Sequence, residues 1–514
     1  MLSSWPFFSP AFDSLCILQA ADEAPDQIAL ISRSRTYSFR ELAQSVQLIA
    51  AQLAPFIQEE RRMALLRVST GVESLLVIYA LLQCRIPFVP LHPRLTSFEE
   101  ETIAQDVGTD LLIKVDPDRG ILPNILQAID TSNAPFFPLD LAVLMYTSGT
   151  TGKPKGALLS RSALMASAQA SAARLGWNSK DRWLLCMPIC HMGGLSIVLR
   201  TLIARRCVVV ESGFDPDAVL WRIERDRVTL LSLVPSMLQR LLSIDRRNIL
   251  SRLRALLLGG APTPVRLIEE GKKRGVPILL TYGLTEACSQ VATQMPGQEI
   301  GEEGCVGYPL PGWSVEVVGE KGDGLIGGDV GRIRIRGSSL MTGYWRHPPL
   351  TEDGFDTGDL GRIDEKGLLY IYGRRTDLMI TGGENVYHAE VEHAIQACPG
   401  VLRVLVFGVP DEVWGQRVAA LIEVDPGQTI SEYALWETIC SRLAPYKRPR
   451  LVALVPSLPL LQQGKIDRNQ ARIHFERWLR PWPPPSFELT EKKRVSHPCD
   501  SFSTDDFSIT LSYR

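Results

Sequence analysis

Between residues 60 and 285 the chain alternates short, wholly apolar runs with stretches of helical period. The runs ALLRV (64–68), DLLIKV (110–115), LAVLMYT (141–147), RCVVVE (206–211), VTLLSLV (228–234), RALLLGG (254–260) and PILLTYG (277–283) have the length of strands buried on both faces. Between them, PDAVLWRIERD (216–226) and PSMLQRLLSI (235–244) gather apolar residues on one helical face. Such an order predicts sheets layered with helices. Past residue 300 glycines crowd together, and SVEVV (314–318) and GRIRIRG (331–337) alternate with period two, predicting a small antiparallel region. A third texture begins near 375. It holds a helix at 387–398, strands at 404–409 and 418–424, a helix at 430–443 and a strand at 451–455.

The expected fold is therefore α/β: a large N-terminal domain of layered α/β sheets plus the antiparallel region over 1–373, then a small α+β C-terminal domain over 374–485. The polar, turn-like YGRRTD (372–377) joins them. Residues 486–514 are rich in Pro, Ser and charge and offer little apolar surface to offset ordering entropy, so they are expected to be a disordered tail.

Composition narrows the functional classes. Over 514 residues, 45% are apolar and 22% charged, with a formal net charge of −2. That balance predicts no general affinity for nucleic acid or a membrane surface. No apolar run is long enough for membrane insertion. The N-terminal MLSSWPFFSPAFDSL lacks a basic region and carries Asp13, unlike a secretory signal. Ten cysteines scattered through a long chain suit reduced thiols, hence a cytoplasmic protein. Cys186, Cys190 and His191 stand close together, but no second ligand pair follows at a zinc-like spacing and WLLCMP reads as a buried strand, so no metal is expected there. Whether the chain forms a homo-oligomer is left open.

The most telling stretch is YTSGTTGKPKG, Tyr146–Gly156, directly after an apolar run. Small residues let backbone N–H groups approach an anion, with hydroxyls and lysines adding donors and charge. A P-loop is excluded by spacing: only Thr150 and Thr151 separate Gly149 from Gly152, and Pro154 stands after Lys153 where a magnesium-binding hydroxyl belongs.

This loop resembles the phosphate-loop signature of the acyl-adenylate-forming superfamily, which includes acyl-CoA synthetases, peptide-synthetase adenylation domains and luciferases. YGLTEA (282–287), FDTGDL (355–360), GRRTDLMITGGENVYHAEVE (373–392) and QQGKIDR (462–468) resemble its adenine and magnesium, ribose, hinge and catalytic-lysine motifs, in the family's order. The resemblance implies a mobile C-terminal domain, ATP, Mg²⁺ and CoA as cofactor and co-substrates, and a small-molecule carboxylic acid that is first adenylated and then passed to a thiol.

It also implies residue roles. Thr147, Ser148, Gly149, Thr150, Thr151 and Lys155 would hold the phosphates, and Thr147 would take part in catalysis. Gly260, Ala261, Tyr282, Gly283 and Thr285 would surround the adenylate, with Tyr282 stacked on adenine. Asp359 and Arg374 would meet the ribose. Glu286 would be the Mg²⁺ ligand and Lys465 the adenylation lysine. Thr376 would be the hinge, where many relatives carry Asp or Lys, and Gly382 with Gly383 would line the CoA tunnel. The acyl pocket would be built from 187–196, 232–242, 257–264 and 281–293. These stretches resemble a branch of CoA ligases whose acid keeps a second, aromatic carboxylate. His191 would wall the pocket, while Arg240, Ser289 and Gln290 would meet that second charge, which needs a cation or donors once desolvated. Other readings are a fatty or aryl acyl-CoA synthetase, a peptide-synthetase adenylation domain, or a non-catalytic adenylate or CoA sensor. The chain carries no carrier-type serine motif, which counts against the peptide-synthetase reading, and intact Glu286, Asp359 and Lys465 count against the sensor.

Overall fold

The computed structural model describes residues 13–483 apart from 57–62, 117–119, 126–136, 148–153, 262, 264, 299–303, 320–322, 326–327, 375–377, 426, 429, 460–465 and 467. The chain forms two compact units, one holding most of the sequence up to Arg375 and the other built mainly from Thr376 onward, with Arg94–Thr102 grouped in it.

In the first unit the apolar runs are strands. Arg182–Leu185, Cys207–Val210, Leu230–Leu233, Ala255–Leu258 and Ile278–Leu284 pair in parallel. Their apolar residues are almost entirely buried, because helices cover both faces. Helix Pro216–Arg225 starts where expected: Asp215 accepts the Ala218 N–H at 2.7 Å, and Pro216 occupies the first turn, where no backbone donor is needed. Helix Phe39–Leu53 opens on a reciprocal capping box between Ser38 and Glu41. A second sheet has the order Gly120–Ile125, Leu111–Asp116, Ala64–Arg67, Phe88–Leu91, Leu141–Thr147, Lys155–Ser160.

The expected antiparallel region is present, and it continues the large sheet, which runs through thirteen strands among the described residues. Ile278–Leu284 is the junction: it pairs in parallel with Ala255–Leu258 on one edge and antiparallel with Ser289–Thr293 on the other. Trp313–Val318, Gly331–Gly337, Phe355–Ile363 and Leu369–Arg374 extend the sheet antiparallel, joined to it through Cys305–Pro309.

The second unit pairs Val401–Asp411 antiparallel and Leu451–Val455 parallel with the central strand Gly415–Val424. Helices His388–Gln396 and Glu432–Arg442 contribute Val391, Ile395, Leu435 and Ile439 to its core, against Val404, Val406, Ala420 and Ile422. Among the described residues, no helix is long and apolar enough to cross a membrane, and nine cysteines are free thiols.

Candidate active site

The loop that dominates the sequence bridges a β-hairpin. Leu141–Thr147 and Lys155–Ser160 are antiparallel, with Thr147 opposite Lys155 and the Thr147 hydroxyl donating to the Lys155 carbonyl at 3.3 Å. Ser148, Gly149, Thr150 and Thr151 lie outside the described residues. The hairpin is anchored from two sides. The Tyr146 hydroxyl donates to Asp106, and burial, then the Asp106 carboxylate, pushes its pKa above the ordinary tyrosine value. The Gly156 carbonyl accepts the Trp345 N–H at 2.7 Å, while the Trp345 indole donates to the Asp106 carbonyl at 3.0 Å.

Next to Trp345, the Tyr344 hydroxyl donates to Glu286 Oε1 at 2.7 Å, and Lys155 Nζ lies 5.4 Å from the Tyr344 ring centre. Tyr344 therefore ties the lysine that closes the loop to the magnesium-motif carboxylate. Glu286 is buried, in the short 3₁₀ turn Thr285–Ala287. No ion pair to it is recorded among the described residues. A carboxylate offers about four lone-pair positions and Tyr344 uses one, so this hard-oxygen group fits a magnesium ion.

Tyr282 and Asp359 also meet. The Tyr282 hydroxyl donates to Asp359 Oδ2 at 2.6 Å. Asp359 is held from behind, its N–H donating to the Thr357 hydroxyl at 3.1 Å, and it stands opposite Arg374 in the backbone register. A carboxylate so oriented suits ribose hydroxyls, which donate. Gly283 is a steric necessity, because a Cβ there would sit 1.8 Å from the Ser289 carbonyl oxygen. Cys288 and Ser289 both have positive φ, 51° and 109°, as the chain turns from Thr285–Ala287 into Ser289–Thr293. Gly260 and Ala261 follow the buried strand Ala255–Leu258.

The acyl-pocket residues separate. His191 is exposed at the N-cap of helix Met192–Ile203, so it is not a core histidine. Gln290 is buried, its amide nitrogen donating to Thr293 at 2.7 Å and Thr281 at 3.3 Å. Its side-chain oxygen has no hydrogen-bond partner, and an acceptor would repel a carboxylate. Arg240, expected to meet the second charge, is exposed, with its guanidinium 5.2 Å from the Phe214 ring centre.

Among the described residues, a buried cation without a counter-ion is Arg200. It is 3% exposed on helix Met192–Ile203, and its Nε and Nη2 lack hydrogen-bond partners. Burial pushes its pKa down to about 9. Its guanidinium stands 5.6 Å from the Trp183 ring centre, and it packs with Met192, Ser196, Ser167 and Cys288 around a gap too tight to admit a water molecule. The sequence signal for it is slight: one charged residue in an otherwise apolar helix.

Gly382 and Gly383 form the two-residue turn between Leu378–Thr381 and Glu384–Tyr387, with φ of 58° and 83°. Such a hairpin turn requires positive φ at both positions, and a Cβ on Gly382 would meet the Trp414 ring at 2.8 Å. The turn alone accounts for both glycines. Lys465 and Thr376 lie outside the described residues.

A hydroxyl-rich hairpin loop, a buried carboxylate linked to it through one tyrosine, and a tyrosine–aspartate pair at the sheet junction mark a nucleotide-binding α/β enzyme. The AMP-binding enzyme family matches residues 17–345, and its C-terminal domain matches residues 390–465. The chain belongs to the AMP-binding enzyme family. It is 34% identical over 472 residues to the 2-succinylbenzoate–CoA ligase of Bacillus licheniformis, covering 88% of this chain and 98% of that one. It is likewise 34% identical over 475 residues to that of Listeria monocytogenes, with coverages of 87% and 97%. Among solved structures, a double mutant of o-succinylbenzoate CoA synthetase from Bacillus subtilis, bound to the product analogue OSB-NCoA, aligns with a TM-score of 0.80 at 32% identity, over 89% of this chain and 97% of that one. An amide bond synthetase from Marinactinospora thermotolerans aligns at 0.77 with 27% identity, over 89% and 99%.

Proposed function

We propose that the chain is an ATP-dependent acid–CoA ligase acting through an acyl-AMP intermediate, and that its acid is 2-succinylbenzoate. The observation that carries the choice of acid is Arg200. 2-Succinylbenzoate has an aliphatic carboxylate to be activated and an aromatic one that stays charged. An unpaired buried cation costs several kcal/mol. A second carboxylate reaching Arg200, once the side chains around it move aside, would relieve that cost, whereas a monocarboxylic acid would leave it standing. The names of the relatives support the same acid. The product would serve menaquinone or phylloquinone synthesis, and the reaction fits the cytoplasm, where ATP and CoA are held.

In the first step an oxygen of the aliphatic carboxylate bonds to the α-phosphorus of ATP, the bond to the β-phosphate oxygen breaks, and pyrophosphate leaves. In the second, the CoA sulfur bonds to the acyl carbon, its proton passes to solvent, and AMP leaves with the bonding pair. The hairpin loop would grip the departing pyrophosphate, and Lys465 would neutralise charge between the carboxylate and the α-phosphate. Positioning and fixed charge are what such a transfer requires. Glu286, oriented by Tyr344, would hold magnesium, which supplies charge neutralisation for the phosphates. Asp359, oriented by Tyr282, would hold the ribose. Alternate use of the two half-reactions would follow from movement of the C-terminal unit about Thr376.

The test is thioester formation dependent on ATP and CoA, with 2-succinylbenzoate beside benzoate, a medium-chain fatty acid and cinnamate-type acids. Strong selectivity for 2-succinylbenzoate is the expected result. Turnover of another acid would keep the mechanism and discard this substrate. Adenylate binding without turnover of any acid would favour the sensor. The Lys465→Ala variant should lose acyl-AMP formation while still converting supplied acyl-AMP to thioester, and equal loss in both would overturn its role.

A further inference from the structure

We propose that His92, Cys190 and His191 form a site for a soft divalent cation, zinc above all, and that zinc bound there inhibits the enzyme. The first half stands on geometry alone; the second rests on the acyl-pocket reading of His191. The potential ligand atoms of the three side chains all lie within 4.8 Å of one another. The sequence brings only Cys190 and His191 together. His92 arrives from elsewhere, one residue past the buried strand Phe88–Leu91. Cys186, the other thiol nearby in sequence, is excluded, since it is 1% exposed with its pKa pushed up to about 12 by burial.

The three side chains stand on rigid supports. Cys190 and His191 end a tight turn in which the His191 N–H donates to the Pro188 carbonyl at 3.3 Å. The turn packs so closely on the following helix that a Cβ on Gly194 would meet the Pro188 oxygen at 2.3 Å. The Thr70 hydroxyl donates to the Met187 carbonyl at 3.3 Å. Thr70 follows strand Ala64–Arg67, which pairs with the strand leading to His92. The His191 side chain makes no capping hydrogen bond to its helix, and the two imidazoles face each other at 6.1 Å between ring centres, tilted by 45°.

Two imidazoles and a thiolate are a zinc donor set. At Zn–N of ~2.0–2.1 Å and Zn–S of ~2.3 Å, tetrahedral ligands stand about 3.5 Å apart, so the widest pair would have to close by about 1 Å. Side-chain rotation covers that distance. Magnesium, which prefers oxygen, is excluded by the same donors. On binding, the Cys190 S–H bond breaks, its proton passes to solvent and the sulfur bonds to zinc. Cys190 and His92 are buried, whereas His191 is exposed, so the fourth position faces water. A cation held there would immobilise His191 and stand where the acid enters.

The test uses the full chain, stripped of metal and without acid, ATP or CoA. Zinc is titrated in competition with a chromophoric chelator, and cobalt is then used to reveal any thiolate-to-metal charge-transfer band. The wild type should bind one zinc ion and show the band. His92→Asn and Cys190→Ala should each weaken binding at least tenfold, and Cys190→Ala should abolish the band. Substituting His497 and Cys499 together should change nothing. Equal zinc affinity in wild type, His92→Asn and Cys190→Ala would overturn the site. Thioester synthesis is then assayed with added zinc: wild type should be inhibited and His92→Asn should resist. Equal inhibition of both would overturn the regulatory half. Because binding is read without turnover, failure of the substrate assignment cannot be mistaken for failure of the metal site.

Discussion

Arg222 and Arg200 are both buried arginines on helices of the first unit, and they differ in what surrounds them. Arg222 is 0% exposed and has its counter-ions beside it: Asp226 pairs with it at 2.7 Å and Glu211 stands at 3.6 Å, although its Nε has no hydrogen-bond partner. Its guanidinium also donates to the carbonyls of Ile31, Ser32 and Val210. Arg200 has an aromatic ring for company and two nitrogens without partners. A buried charge with its counter-ions present serves the fold. A buried charge without them is costly to keep, and a ligand that completes it gives a reason for keeping it. Glu286 is the acidic counterpart, partnered by the neutral hydroxyl of Tyr344.

The comparison can be broken by substitution. Arg222→Met should cost about 3–5 kcal/mol of stability, since it takes the close partner from buried Asp226 and leaves Glu211 with Arg33 alone. Chemical denaturation would show that loss, while activity per folded molecule stays near wild type. Arg200→Met should do the opposite. Its stability should hold or rise, and kcat/KM for 2-succinylbenzoate should fall by roughly thirtyfold or more, corresponding to about 2–5 kcal/mol. Turnover of monocarboxylic acids should not fall. Parallel losses of stability in the two variants would erase the distinction. Tyr344→Phe tests the acidic counterpart: adenylation should slow about fivefold and require more magnesium, in line with about 1 kcal/mol for one hydrogen bond. An unchanged magnesium dependence would deny Tyr344 its positioning role.

The smallest effect concerns a third arginine. Arg161 is buried against Asp13, with two contacts of 2.7 Å. Burial alone would raise the Asp13 pKa, but the hydrogen bond and charge of Arg161 more than offset it, holding the carboxyl below its ordinary 3.8. The stabilisation is therefore complete above 3.8 and disappears as pH falls through the lower, folded value. Asp13→Asn should melt slightly earlier than wild type at neutral pH, with the gap closing below pH 3.8. A gap that persisted there would mean the pair contributes through packing rather than charge.

Much of this was readable along the chain. Period-two and period-3.6 patterns place the strands and helices because burial imposes those periods, and the loop after Leu141–Thr147 declares its chemistry through its composition. Three things were not readable. The antiparallel strands join the large sheet through a single strand that pairs differently on its two edges, and pairing sense leaves no mark on side-chain pattern. Tyr344 reaches Glu286 across 58 positions, and His92 meets Cys190 only in the folded chain. Nothing in the sequence sets Arg200 apart from Arg240, because sequence shows which residues are charged but not which of those charges lack a partner.

Arg200 has a further consequence for the economy of the cell. Adenylation consumes ATP before the thiol is joined, so every wrong acid that is activated and then hydrolysed is a futile cycle. Fatty and aromatic monocarboxylic acids are common metabolites, and a pocket shaped only by apolar walls rejects them weakly. On the proposed role of Arg200, a guanidinium left incomplete in their presence would disfavour them at the first step. Fidelity at the entrance would thus remove the need for a second, hydrolytic check after activation.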